Sequence, residues 1–193
     1  MPTGVHLRDV RTQLFDAAER VLLRGGPSAL TSRAVTDEAG CAKGVLHKHF
    51  TDFDGFLAEL VLDRIAQVQA RSETLVAQAG TGSVVDTVAD VLTEVFSSVA
   101  VSVVALITFR DGLRARLRAA RPGPGVPLAT DAARMLARYL TAERDLGRLS
   151  ADADVDTLAP TLVGAGHLLF ADRSGDEAAL RPMVASVLSP VLE

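Results

Sequence analysis

Two lysines, Lys43 and Lys48, lie on one short segment of a 193-residue chain whose other 18 basic side chains, histidines aside, are arginines. Ammonium groups presented this way can donate to phosphate oxygens or to the O6 and N7 acceptors of a guanine edge. Their neighbours extend the same chemistry: Gly44 allows a close backbone approach, Val45 offers the apolar contact a thymine methyl accepts, and His47 and His49 add donors. A little upstream, Thr31, Ser32 and Arg33 place two hydroxyls, a guanidinium and backbone N–H groups at the start of a predicted helix, an arrangement suited to an anion. His47 and His49 are two apart and leave a helix on different sides, so a shared metal is not expected. No cofactor is expected either.

Other chemistries find little support. The chain has no Ser-His-Asp order, no H-E-x-x-H, no glycine-rich phosphate loop and no C-x-x-C, so the sequence does not read as an enzyme. Cys41 is the single cysteine, which excludes a disulfide framework. Seven Phe, one Tyr and no Trp supply few platforms for stacking single-stranded bases. The net charge is −4, and residues 1–60 carry seven Lys and Arg against eight Asp and Glu, so duplex contact has to be local. Arg8, Asp9 and Arg11 break up the first dozen residues, and the uncharged run 95–109 is 15 residues long, short of a bilayer span. A cytoplasmic protein with no membrane partner is expected.

The elements that must position these groups are helices. Leu7, Val10, Leu14, Ala17, Ala18, Val21 and Leu22 form one apolar stripe that stops at Gly25-Gly26-Pro27. Thr31 reads as the cap of a short second helix ending at Gly40, and a third short helix spans 42–50, with Val35, Ala39, Cys41 and Leu46 inward. Asp52 caps a long fourth helix. Residues 99–109 are rich in valine, yet nothing flanks them as a partner strand, and a buried helix is the better reading. Pro122 to Pro127 is a surface loop, and three amphipathic segments follow. Eight or nine helices and no sheet make the fold all-α. Asp86, Asp90 and Glu94 form an acidic stripe read as a solvated face, and Arg114, Arg116, Arg118 and Arg121 sit where a helix C-terminus favours cations.

The stretch from Leu14 to Leu57, with its Ala17-Ala18 pair, Leu30-Thr31 entry, Ala39-Gly40 turn, Lys43-Gly44 and His49-Phe50 ending, resembles the DNA-binding domain of the TetR family of bacterial transcriptional regulators. The resemblance covers roughly 50 residues, Val10 to Leu60. It implies an N-terminal three-helix helix-turn-helix DNA-binding domain over 1–52 and a C-terminal helical ligand-binding and dimerisation domain over 53–193. It also implies a homodimer, a double-stranded DNA operator, and a small-molecule effector of unknown identity that releases a repressor. Family contacts to phosphate and base fall on Thr31, Ser32, Arg33, Lys43, Gly44, Val45, His47, Lys48 and His49. Four positions depart from the family pattern: Ala42 for a capping serine, His47 for tyrosine, Phe53 for a lysine that meets the DNA backbone, and Thr36 for alanine. They leave open a second reading, a helical signalling or scaffold module whose helix-turn-helix no longer binds DNA. Phe96, Phe109, Met135, Tyr139, His167 and Phe170 are candidates to line an effector cavity, with plain core packing as the alternative. Gly164 and Gly166 are candidates for a close helix contact between subunits.

Overall fold

The computed structural model describes residues 6–97, 99–171 and 176–193, with side chains from Val10 onward, so Leu7 of the first stripe lies outside the described side chains. The described residues form ten α-helices: α1 His6–Gly25, α2 Ser32–Glu38, α3 Val45–His49, α4 Phe53–Ala77, α5 Val84–Ser97, α6 Ala100–Phe109, α7 Asp111–Ala120, α8 Ala129–Asp145, α9 Val155–Phe170 and α10 Glu177–Leu188. The only extended pairing among them is an isolated antiparallel bridge between Leu149 and Leu192. The all-α reading holds, with one more break than the sequence suggests. At Arg110 the backbone turns extended (φ −114°, ψ 102°), which ends α6 and starts α7 in a new direction. The valine-rich α6 is helical because burial of Val103, Leu106 and Ile107 outweighs the modest helix cost of β-branching.

Two compact units emerge. The first joins residues 1–63 to 102–124, and the second joins 64–101 to 125–193.

In the first unit the stripe of α1 delivers Leu14, Ala17, Ala18 and Leu22 to full burial. α1 gives way to a short 3-10 turn at Gly26, whose φ of 71° suits glycine, followed by Pro27. Three phenylalanines fill the space beside α1. Ring centroids lie 5.9 Å apart for Phe15 and Phe50, 5.7 Å for Phe15 and Phe56, and 5.0 Å for Phe50 and Phe56. The last pair meets edge to face, the geometry that ring quadrupoles favour.

The second unit is built on α5, α8, α9, α10 and the later part of α4, around a core that includes Leu75, Val88, Leu92, Met135, Tyr139, Leu162 and Val184. Two acidic residues are buried among the described residues, Asp131 and Glu143. Glu143 is fully buried, accepts the Gly80 amide at 3.2 Å and pairs with Arg148 at 3.1 Å. Arg148 also donates to the carbonyls of Thr81 and Gly82, so the pair ties the α4–α5 turn to the α8–α9 turn. Burial, and then the Glu143 carboxylate, push the Tyr139 hydroxyl up to about 12. The acidic stripe on α5 is ion-paired as well as solvated: Asp86 meets Arg181 at 2.5 Å and Glu94 meets Arg71 at 3.0 Å.

Candidate nucleic-acid interface

Local sequence sets the geometry of the helix-turn-helix. The Thr31 hydroxyl accepts the Ala34 amide at 3.1 Å and so caps α2, as expected. At the other end Gly40 takes φ 65°, the Gly40 amide bonds the Asp37 carbonyl, and the Cys41 amide bonds the Thr36 carbonyl. That pair of bonds is a Schellman closure, and it sets the angle at which the chain leaves for α3. Thr36, which departs from the family's alanine, is fully buried, with its hydroxyl within 3.1 Å of both the Ser32 and Arg33 carbonyls. Cys41 is half-buried with its thiol directed at the Ala39 carbonyl.

α3 is anchored by two residues four apart. Leu46 is fully buried and Phe50 nearly so. Their burial turns Lys43, Gly44, His47 and Lys48 to solvent and leaves Val45 and His49 half-buried. Thr31 and Arg33 are exposed and Ser32 is half-buried. Arg33 lies 3.5 Å from Asp37 on the same helix. Among the described residues neither lysine has an ion-pair partner. Other cations of the module are engaged: Arg20 and Arg24 both bind Glu38 and hold its carboxyl below the usual range. Arg11 stacks on Phe50 at 4.5 Å, donates to the His49 carbonyl at 3.2 Å and pairs with Glu59.

Gly44 gives a sharper signal. It has an ordinary φ of −79°, and a Cβ added there would meet nothing within 4 Å. Neither backbone conformation nor packing among the described residues requires glycine at this point.

Phe53, which departs from the family's lysine, stacks on Phe56 at 5.7 Å and lies under the guanidinium of Arg110 at 5.5 Å. Sequence reasoning missed Arg110 altogether, because no local pattern links it to a residue 57 positions earlier.

The other candidate residues separate into groups. Phe96, His167 and Phe170 do meet, with Phe96 5.8 Å from Phe170 and 6.1 Å from His167. Tyr139 and Met135 are buried on α8. Phe109 needs correction. It is 85% exposed at the end of α6 and lines neither of the two grooves beside α8. Gly166 also has a different explanation from the one expected, since a Cβ there would lie 2.5 Å from the Phe96 ring of the same chain. Gly164 is exposed with open space around it.

Two adjoining grooves open beside α8, of about 510 and 340 Å³. They share Arg134 and Arg138, and the smaller has Met135, Val68 and the buried Ser72 and Asp131 in its wall. Arg138 reaches Glu73 at 2.8 Å and Ser72 at 3.1 Å. No cluster of His, Cys, Asp or Glu among the described residues could hold a metal ion, and none of the described helices is by itself long and apolar enough to cross a membrane.

Comparison with known proteins agrees with this geometry. The sequence model described as "Bacterial regulatory proteins, tetR family" matches residues 14–60, the segment that builds α1 to α3 and the first turns of α4. A Mesorhizobium loti protein assigned to the TetR family of transcriptional regulators is 16% identical and superposes with a TM-score of 0.71 over 96% of this chain and 98% of its own. A transcriptional regulator from Saccharomonospora viridis, solved with choline, gives 0.68 at 16% identity over 96% of this chain and 99% of its own. FadR of Bacillus subtilis, solved with stearoyl-CoA, gives 0.64 at 19% identity over 92% and 97%. No curated protein matches the chain at a significant level. Residues 14–60 thus match the tetR family of bacterial regulatory proteins, and the chain shares the fold of these solved structures along nearly its whole length.

Proposed function

We propose that the protein is a cytoplasmic repressor that binds a near-palindromic operator as a homodimer and is released by a small organic effector. Residues 1–52 act as the DNA module, and 53–193 carry effector binding and dimerisation. The observation that carries the reading is the outer face of α3 and the turn before it, where Lys43, Gly44, His47 and Lys48 are exposed and, among the described residues, neither lysine has an ion-pair partner. On this reading Lys43 donates to a guanine edge, Val45 touches a thymine methyl, and Gly44 lets the sugar-phosphate chain come close. Thr31, Ser32, Arg33, His47, Lys48 and His49 contact phosphates and fix the register. Two copies of α3, one per subunit, enter successive major grooves about one helical turn apart.

The effector is taken to enter the groove beside α8 and to reach Met135 and the core around Tyr139, Phe96, His167 and Phe170. Its differential affinity for two conformers would set the degree of release. Gly164 and the exposed Leu168 on α9 are proposed to face the second subunit.

Footprinting on the DNA flanking its own gene tests the reading. Protection of one near-palindromic site is expected, and Lys43→Ala should weaken that site by ~1 to 3 kcal/mol while random duplex is much less affected. Equal loss on both would remove the base contact. No protection at any site would remove the function.

A further inference from the structure

The departure at Phe53 leads beyond the helix-turn-helix. The first compact unit contains α6 and α7 as well as α1 to α3, although about 40 residues of the other unit intervene in the chain. α7 and the corner before it bring two arginines to the first turn of α4. Arg116 pairs with Asp52, the residue whose other carboxylate oxygen accepts the Gly55 amide at 2.7 Å and caps α4. Arg110 approaches a single Asp54 oxygen with Nε at 3.1 Å and Nη2 at 2.6 Å, and its guanidinium covers the Phe53 ring. Gly112 completes the contact: a Cβ there would collide with the Asp54 carboxylate, so the α7 backbone lies directly against it.

This corner reaches α3 by two routes. The covalent route is three residues long, because Phe50 ends α3 and α4 starts at Phe53. The packing route runs from Arg110 to Phe53, on to Phe56, and then edge-on to Phe50. Phe50 is the C-cap of α3, so the last ring in the series belongs to the helix that carries His47 and Lys48.

We infer that Arg110 and Arg116 are positioning residues for DNA binding: they clasp the first turn of α4 and thereby hold α3 at the angle a duplex requires. The inference rests on the DNA-binding reading above. The arginines act through Asp52, Asp54 and Phe53 and need not touch DNA. Each is tied to a carboxylate, which leaves little net charge to attract a phosphate. The clasp also gives the 102–124 excursion a purpose. The chain leaves the second unit after Val101 and returns to it at Gly125.

The test uses the full-length protein with Arg110→Gln and Arg116→Gln, alone and together. Fluorescence anisotropy on the footprinted site and on random duplex is followed across salt, and thermal melts are run in parallel. Each exposed or half-exposed ion pair contributes little on its own, so the double variant is expected to bind the site about three- to tenfold more weakly. Random-duplex affinity and the slope of log affinity against log salt should stay unchanged. Arg116→Lys, which keeps the charge near Asp52, should recover part of the loss. A slope lowered by about one per removed arginine, with equal losses on both duplexes, would mean direct phosphate contact and overturn the inference. Undiminished affinity in the double variant would overturn it too. If the glutamine variants melt early, the exchange Arg110→Asp with Asp54→Arg keeps the test decisive: the clasp requires the exchanged pair to bind better than either single reversal. A wild-type protein that binds no duplex refutes the DNA-binding reading, and the inference with it, and that result is distinct from a wild type that binds and variants that bind equally well.

Discussion

The face of α3 and the second unit use positive charge in opposite ways. On α3 and the turn before it the cations include two lysines, exposed and, among the described residues, without an ion-pair partner. In the second unit the cations are arginines paired with acids: Arg148 with Glu143, Arg181 with Asp86, Arg138 with Glu73 and Arg71 with Glu94. The physical difference between the side chains accounts for the division. A planar guanidinium with five donors can join a carboxylate and a carbonyl at once, as Arg148 does, whereas an ammonium is a compact, well-hydrated point charge on a flexible stem. Charge that holds the protein together is therefore carried by arginine, and charge left for an outside partner is carried by lysine. The clasp at α4 lies between these cases, with arginines paired internally but acting on the face that is left free.

The contrast can be broken most severely at Glu143. Glu143→Ala removes the acceptor of the Gly80 amide and leaves Arg148 to find water, so a loss of about 3 kcal/mol is expected in urea denaturation, the low end for a buried pair because Arg148 is partly solvated. The matching change on the other face, Lys48→Ala, should alter stability by less than ~0.5 kcal/mol. Comparable losses at both positions would erase the distinction. An intermediate effect is expected on α9. Gly166→Leu forces a side chain into the Phe96 ring and should cost about 1 to 3 kcal/mol through overpacking, with no change in sedimentation mass. Gly164→Leu should leave the melting temperature alone and alter the mass, and the reverse result would exchange the roles of the two glycines.

The smallest effect is expected at Tyr139, and it is a pH effect. Its hydroxyl titrates at about 12 in the folded protein, above the ordinary value of 10. The contribution is complete below pH ~10 and is lost as pH rises toward 12, because the unfolded chain ionises first. Tyr139→Phe should therefore flatten the alkaline limb of stability against pH and leave the limb below pH 9 unchanged. An unaltered alkaline limb would remove Tyr139 from the linkage.

Much of this protein was legible from sequence because it rests on short-range physics. The stripe of α1, the Thr31 cap, the turn at Gly40 and the outward set on α3 each depend on residues within about one helical turn of one another. Helical periodicity also made the all-α fold readable, even through the valines of α6. Pairings across many residues were not legible. Arg116 was read as a cation suited to a helix C-terminus, whereas it pairs with Asp52. Phe109 looked like a cavity residue and proved to be exposed, since hydrophobicity says nothing of where a helix stops. Gly166 looked available to a second subunit and was already occupied by Phe96. The sequence by itself determined which helices form and which residues of the helix-turn-helix face outward, because backbone hydrogen bonds and apolar spacing are local. Only the tertiary structure decided which distant arginine meets which carboxylate and which compact unit α6 and α7 join, because those choices follow from how whole helices pack, a matter on which spacing along the chain is silent.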